Sequence, residues 1–188
     1  NYVWKTRMQP RALPAHFSVY LSFFLYAAAL GAMFPRLGDL QLQMSIGEGA
    51  LGLALIGIPF GAQISLIFGG RFCERLGFRR VMMIGVPMMG FSELAASTAT
   101  GPLAFFLYLI VGGIGIGAVE IVVNLEADRV ERLVGRRIMN RSHAFWSFGF
   151  FTAGISGAVI SQAGLDTRIH LLGFAIISTL AVFLLLRT

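Results

Sequence analysis

Long stretches without a charged residue recur along this 188-residue chain and limit what it can fold into. Five of them enclose 24, 22, 26, 24 and 18 residues, and they lie at 12–35, 49–70, 94–119, 142–165 and 169–186. An α-helix needs about 20 apolar residues to cross a hydrocarbon layer of ~30 Å. The apolar residues do not alternate with a period of two, as the strands of a membrane barrel require. The pattern therefore predicts membrane-spanning helices.

Composition supports the same interpretation. Hydrophobic residues make up 56% of the chain and charged residues 13%, and 23 glycines are typical of closely packed membrane helices. We predict one all-α membrane domain over 1–188. Its six transmembrane helices are placed at about 16–34, 50–70, 81–99, 103–125, 143–163 and 169–186, and Glu93 is a charge inside the third.

The basic residues are distributed unevenly between the two ends of these spans. If the N-terminus is cytoplasmic, 13 of the 15 basic residues lie on the cytoplasmic side, and only Arg36 and Arg168 lie outside. The positive-inside rule therefore places both termini of the chain in the cytoplasm. The basic residues flank spans and form no continuous patch with interleaved aromatics, which argues against nucleic-acid binding. The single cysteine, Cys73, excludes a disulfide framework, and no cofactor or metal is predicted.

A glutamate inside the fourth span is the main candidate for function. Residues 117–131 read GAVEIVVNLEADRVE, and the spacing of Gly113, Gly117, Glu120, Asn124 and Asp128 places them on one helical face. An ionisable residue within a span usually faces the bundle interior or a wet cavity. Burial in a low dielectric also disfavours the charged form of a carboxyl group. The pattern predicts Glu120 as a proton-binding residue and Asn124 as its partner or a substrate contact, whereas Asp128 belongs to the charged cytoplasmic exit.

Four further polar or aromatic residues are candidates to contact substrate. His143 and Trp146 open the fifth span, where each is equally well explained as an interfacial side chain. Gln63 lies in the middle of the second span, near Pro59, which is expected to kink that helix. Tyr26 in the first span would line a cavity or pack with its hydroxyl satisfied by a neighbour.

The connection between the second and third spans carries a recognisable motif. Residues 70–80 read GRFCERLGFRR, which resembles the signature loop of the major facilitator superfamily, G-x-x-x-D-R-x-G-R-R. In that family the loop serves conformational gating. The residues that match or replace it are Gly70, Glu74, Arg75, Gly77, Arg79 and Arg80. Gly70 is expected to allow close helix crossing, Glu74 to pair with cations on a neighbouring helix, and Gly77 to permit a tight turn.

Residues of the fourth and fifth spans indicate which branch of the superfamily the chain resembles. Glu120, Asn124 and the element Phe145-x-Ser147-Phe148-Gly149 look like the fucose-permease-like branch of the superfamily. The resemblance implies the N-terminal six-helix half of a twelve-helix secondary transporter in the bacterial inner membrane, built as two three-helix repeats of inverted topology. Such a transporter works by alternating access with a C-terminal half. It further implies proton-coupled transport of a small, sugar-like solute. The first span contains no acid, which disfavours coupling through two carboxylates.

Two other classes of protein remain open from the sequence. Gly154-Ile-Ser156-Gly157 and His170 resemble the G-x-S-G serine and the histidine of rhomboid intramembrane proteases. A serine nucleophile needs an aligned base within hydrogen-bond reach, and small residues on the fifth span are better explained by helix packing. A structural, half-size membrane protein is the other alternative. We predict that the chain is not an enzyme.

Overall fold

A computed structural model describes residues 14–187, and all the regular secondary structure in that range is helical. The elements are α1 (Ala15–Gly31), a short 3-10 helix (Phe34–Arg36), α2 (Leu37–Met44), α3 (Glu48–Leu55), α4 (Gly57–Phe68), α5 (Gly70–Ala96), α6 (Pro102–Val134), α7 (Met139–Gln162) and α8 (Thr167–Leu186). The predicted all-α fold class is confirmed.

Five helical segments are long and apolar enough to cross a membrane. They are Ala15–Met44, Glu48–Phe68, Pro102–Val134, Met139–Gln162 and Thr167–Leu186, and they make the chain a multi-pass membrane protein. The predicted third span falls in α5, which is not among the five. Arg79, Arg80 and Glu93 lower the hydropathy of this helix, so the sixth crossing remains a prediction. Lys5, Arg7 and Arg11, which support the predicted orientation, lie outside the described residues.

Two local sequence signals interrupt the helices. Pro59 lies in the first turn of α4, where it has no N–H to donate and its ring would clash with the carbonyl of Leu55. The helix of the second span is accordingly broken at Ile56, between α3 and α4. Gly77 interrupts α5 with φ of 78°, a left-handed value that favours glycine. The kink and the tight turn expected at these two positions are both confirmed.

Small residues let the helix backbones approach closely. α4 and α6 run parallel, and a Cβ added at Gly61 would overlap the carbonyl oxygen of Ile110, while one added at Gly113 would overlap that of Ile58. The same kind of contact joins α7 to α1, where a Cβ at Gly149 would overlap the Phe24 carbonyl oxygen. In hydrocarbon, such van der Waals contact replaces the hydrophobic effect as the force between helices.

The pairing of these helices follows the predicted repeats. α1 packs on α7, which joins the first and fifth spans, and α4 packs on α6, which joins the second and fourth. If the first, second and third spans correspond to the fourth, fifth and sixth, the pairing of spans one and five is equivalent to the pairing of spans four and two. α5 runs antiparallel to α6, with Gly85 beside Val119 and the Ser92 hydroxyl donating to the Tyr108 carbonyl oxygen. If α5 also crosses the membrane, each unit has three crossings and the second unit is inverted relative to the first, as predicted.

The end of the bundle that carries the α1–α2 and α7–α8 connections is fastened by a buried arginine. Arg36 is 3% exposed, and its Nη2 donates to the Leu165 carbonyl oxygen and to Thr167 Oγ1, each at 2.7 Å. Its Nε lies 2.9 Å from Asp39 Oδ2. The sequence presents Arg36 only as a flanking charge, because Leu165 and Thr167 are 129 and 131 positions away in the chain.

The contact between α4 and α6 predicts that Gly61→Ala destabilises the protein. The added methyl group overlaps the α6 backbone, and overpacking of this kind costs about 1–3 kcal/mol. Gly52→Ala is the matched control, because nothing lies within 4 Å of its added Cβ. Unfolding of both variants in the same detergent measures the difference, and equal stability of the two would contradict the close contact.

Arg36→Met is expected to lower the free energy of unfolding by about 2 kcal/mol. The variant leaves Leu165 and Thr167 without their charged donor, while the ion pair adds little because Asp39 is 44% exposed. Arg168→Met, which changes an exposed arginine at the same end of the bundle, serves as the control. If the two variants have the same free energy of unfolding, the proposed stabilisation by Arg36 is wrong.

Candidate functional site

Glu120 lies just past the midpoint of α6 and is half-buried. Both of its carboxylate oxygens accept hydrogen bonds. Oε2 accepts from the Tyr26 hydroxyl at 2.7 Å, and Oε1 accepts from Asn124 Nδ2 at 3.0 Å. Tyr26 belongs to α1, so the first of these bonds joins two helices that are far apart in the sequence. Three of the predicted site residues therefore meet at one carboxylate.

Asn124 follows Glu120 by one helical turn, as the spacing predicted. Its Nδ2 donates to the Glu120 carbonyl oxygen at 2.9 Å as well as to the carboxylate. A side-chain amide that bonds both groups has little freedom to turn, so Asn124 orients the carboxylate towards α1. The amide thereby satisfies one oxygen of a group that would otherwise be costly to place in the membrane.

The face predicted from Gly113 to Asp128 divides into two functionally different parts. Gly113 and Gly117 are closed against α4, and a Cβ at Gly117 would lie 2.5 Å from the Ala62 carbonyl oxygen. The close packing expected of these glycines is confirmed. Glu120 and Asn124 lie beyond this contact and remain half-buried. The two glycines therefore pack against α4, and they do not line an open space around Glu120 and Asn124.

An aromatic cluster adjoins the carboxylate. Tyr26 is buried, and its ring meets Trp146 of α7 edge-on, with the centroids 6.3 Å apart. Trp146 in turn stacks on Phe150, with centroids 5.6 Å apart and ring planes only 9° from parallel. Trp146 and Phe150 are both half-buried. The site thus combines one carboxylate, one amide, one hydroxyl and a flat aromatic surface, contributed by α1, α6 and α7.

His143 and Gln63 lie apart from this group. His143 is exposed and makes an edge-to-face contact with Phe23, 5.2 Å between ring centroids. Gln63 is exposed on α4, on the side away from Gly61 and Ser65, which face α6. Neither residue hydrogen-bonds to Glu120 among the residues that the structure describes. Their assignment to substrate binding stays a prediction that this arrangement does not favour.

Glu120 has only neutral hydrogen-bond donors. Within residues 14–187, the ion pairs are Arg36–Asp39, Arg129–Glu126 and Arg132–Asp128, and none involves Glu120. The last two pairs lie on the final turns of α6, where the sequence predicted a solvated or ion-paired charged exit. The hydroxyl and the amide satisfy the carboxylate oxygens but bring no positive charge, so no cationic side chain is paired with Glu120 in the described part of the chain.

The structural roles predicted for the residues of the motif over 70–80 are only partly observed. A Cβ added at Gly70 meets nothing within 4 Å, so the prediction that Gly70 allows close helix crossing is wrong. Gly69 is tight only against the preceding turn of its own chain, where its N–H donates to the Ser65 carbonyl oxygen at 2.6 Å, and this contact is not a crossing of two helices. Glu74 is exposed and forms no ion pair within the described part of the chain. Arg75, Arg79 and Arg80 are exposed as well.

Ser156 and His170 do not form a catalytic pair. The Ser156 hydroxyl donates to the Thr152 carbonyl oxygen at 2.8 Å, a bond within its own helix. His170 is buried beside Gly157 and meets Phe174 edge-on at 5.0 Å. No hydrogen bond joins the serine to the histidine in the described region, so the protease alternative has no support. Nor does that region contain three His, Cys, Asp or Glu residues placed to hold a metal ion.

Comparison with known proteins points to transport. No protein-family model matches the chain. The chain is 29% identical over 160 residues to an uncharacterized transporter of Sinorhizobium fredii (strain NBRC 101917 / NGR234), a match that covers 84% of this chain and 42% of the relative. It is 25% identical over 141 residues to an uncharacterized MFS-type transporter of Yersinia pestis, covering 75% of this chain and 36% of the relative.

The chain thus spans about two fifths of the length of the curated relatives it matches. Both relatives are transporters by name, and one is of the MFS type, which agrees with the superfamily suggested by the motif over 70–80. Neither name supports the narrower resemblance to the fucose-permease-like branch. The chain is therefore a multi-pass membrane protein similar to transporters, including one of the major facilitator type.

Proposed function

We propose that this chain is the N-terminal six-helix half of a secondary transporter of the major facilitator type. Three observations support the proposal: two named transporters match it over about two fifths of their length, its helices pair as inverted repeats, and residues 70–80 carry the motif. A C-terminal six-helix half would complete the substrate cavity, and the two halves would rock to alternate access. Both ends of the chain would be cytoplasmic in a bacterial inner membrane.

The hydrogen-bonded group around Glu120 carries the proposal about mechanism. Glu120 is the residue at which we place proton coupling, because it is a half-buried carboxylate near the middle of a spanning helix with only neutral donors around it. A proton on this group removes its charge and so lowers the cost of enclosing it when the transporter closes. Because the proton is needed for closure, its gradient can drive the movement of the solute.

Tyr26 is suited to serve both states of the carboxyl group. A phenolic hydroxyl donates to the ionised carboxylate, and by rotation it can accept from the protonated one. Since Tyr26 lies on α1 and Glu120 on α6, a change in this bond acts on the contact between these helices. α1 and α6 occupy equivalent places in the two repeats, so the proposed coupling site lies at the repeat interface, where transporter sites are commonly found.

The solute is proposed to bind beside this group. The flat surface of Trp146 and Phe150 offers an apolar contact, while Glu120 and Asn124 offer a charged acceptor and an amide. Ligand sites typically combine such apolar surface with a few fixed polar groups. A small polyhydroxylated molecule, sugar-like in character, fits this mixture, because its hydroxyls can bond the carboxylate and its C–H face can cover the indole.

Glu120→Gln is expected to abolish accumulation driven by a pH gradient while leaving exchange of solute intact. Glutamine keeps the size and an acceptor oxygen, but it does not bind a proton in this pH range. Uptake of labelled hexoses by liposomes containing the full-length protein measures both activities, and pH-sensitive dye inside the liposomes follows the protons. Glu93→Gln is the control, because no hydrogen bond joins Glu93 to Glu120, Tyr26 or Asn124 in the described region. Accumulation that survives Glu120→Gln would exclude the coupling role.

Tyr26→Phe is expected to reduce coupled uptake by about ten-fold or more without unfolding the protein. A hydrogen bond to a charged group contributes about 1.5–3 kcal/mol, and the substitution removes that bond while keeping the ring against Trp146. Tyr20→Phe is a matched control on the same helix. Its hydroxyl is buried without a hydrogen-bond partner in the described residues, and its ring stacks on Phe145. Equal loss of uptake in the two variants would show that the Tyr26 hydroxyl has no special role.

A further inference from the structure

A cavity lies at the end of α6, far from Glu120. Its volume is about 240 Å³, and it is lined by Glu131, Arg132, Gly135, Arg136 and Arg137. Gly135 ends α6 with φ of 67°, and this left-handed residue turns the chain so that the two following arginines return beside the last turn of the helix. Three arginines and one glutamate therefore border an open depression wide enough for a small polar group.

The charges of this cavity are not balanced within the described residues. Glu131 Oε2 accepts from the backbone N–H groups of Ile138 at 2.7 Å and Met139 at 3.1 Å, so this carboxylate caps the start of α7. The ion pair with Asp128, at 2.5 Å, compensates Arg132.

Arg136 and Arg137 have no such compensation. Arg136 Nη2 lies 3.0 Å from His16 Nε2, and a histidine ring brings no negative charge in either protonation state. Arg137 makes no side-chain hydrogen bond or ion pair with any residue from 14 to 187. Neither Arg136 nor Arg137 forms an ion pair within residues 14–187, and Glu131, the one carboxylate of the cavity, already accepts from two backbone N–H groups, so positive charge is in excess there. A guanidinium fork matches the oxygens of a phosphate group.

The length of α6 places the cavity at the membrane surface. Arg132 follows Pro102 by 30 residues in one helix, which corresponds to about 45 Å at 1.5 Å per residue. A bilayer with its headgroup layers is ~40–45 Å thick. If α6 begins in one headgroup layer, Arg132, Arg136 and Arg137 lie in the other, at the depth of the lipid phosphates. This is also the end of the bundle at which the exposed Arg75, Arg79 and Arg80 gather.

We propose that this cavity binds the phosphate of an anionic phospholipid, with Arg136 and Arg137 as its cationic ligands. Basic pockets at the ends of membrane helices are suited to anionic headgroups, and each basic residue near the surface strengthens such binding. The bound lipid would compensate the two free charges and would hold the α6–α7 turn, to which α1 is joined through His16. This site is separate from the transport group and does not depend on the proposed function.

Native mass spectrometry of the full-length protein tests the proposal, with phosphatidylglycerol or phosphatidylcholine added to the detergent. We expect the wild-type protein to retain phosphatidylglycerol in preference to phosphatidylcholine. Arg136→Gln and Arg137→Gln should each weaken retention roughly five-fold, and the double variant on the order of 30-fold. Arg71→Gln is the matched control, because it removes an exposed arginine that does not line the cavity.

Melting temperatures measured with and without each lipid keep the test independent of folding. A double variant that melts at the wild-type temperature in phosphatidylcholine but is no longer stabilised by phosphatidylglycerol supports the proposal. Unchanged retention in the double variant, or an equal loss in Arg71→Gln, overturns it. If millimolar inorganic phosphate displaces the lipid and stabilises the protein equally, the site takes a free phosphate and the assignment to a lipid is wrong.

Discussion

Contact between helix backbones is the interaction on which the rest of this structure depends. Surrounded by hydrocarbon, the helices gain nothing from burying apolar side chains, so their association relies on close packing. At Gly61 and Gly113 the backbones of α4 and α6 touch with no room for a side chain. The same contact joins α7 to α1 at Gly149. Neither seam joins α6 to α1, but these two helices also contact each other directly, and at that contact Tyr26 lies within hydrogen-bond distance of Glu120.

The two ends of the bundle are stabilised by different polar groups. At one end the buried Arg36 joins the turn before α2 to the residues that begin α8. At the other end, Glu131 caps α7 and the neighbouring arginines face the cavity at the end of α6. The polar group of Glu120, Tyr26 and Asn124 lies between them on half-buried surface.

How much of the site could be predicted differs from residue to residue. The pairing of Glu120 with Asn124 is local, since two residues four positions apart on a helix must be neighbours. Pro59 and Gly77 also act locally, and the breaks expected from them occur. Gly70 was misjudged, and Gln63 lies apart from the polar group, for a different reason. A polar residue or a glycine in a helix carries no signal of which face meets a neighbour, and that face depends on the rotation of each helix in the bundle.

The sequence by itself determined the membrane helices, the charged ends and the placement of one carboxylate near the middle of α6. These properties follow from hydropathy and helical periodicity, which act within about 20 residues. Only the tertiary structure decided that Tyr26 donates to Glu120, that Trp146 joins the group while His143 does not, and that Arg36 is buried with Thr167. Each of these contacts joins residues more than 90 positions apart, or depends on the rotation of one helix against another, and no local pattern specifies it.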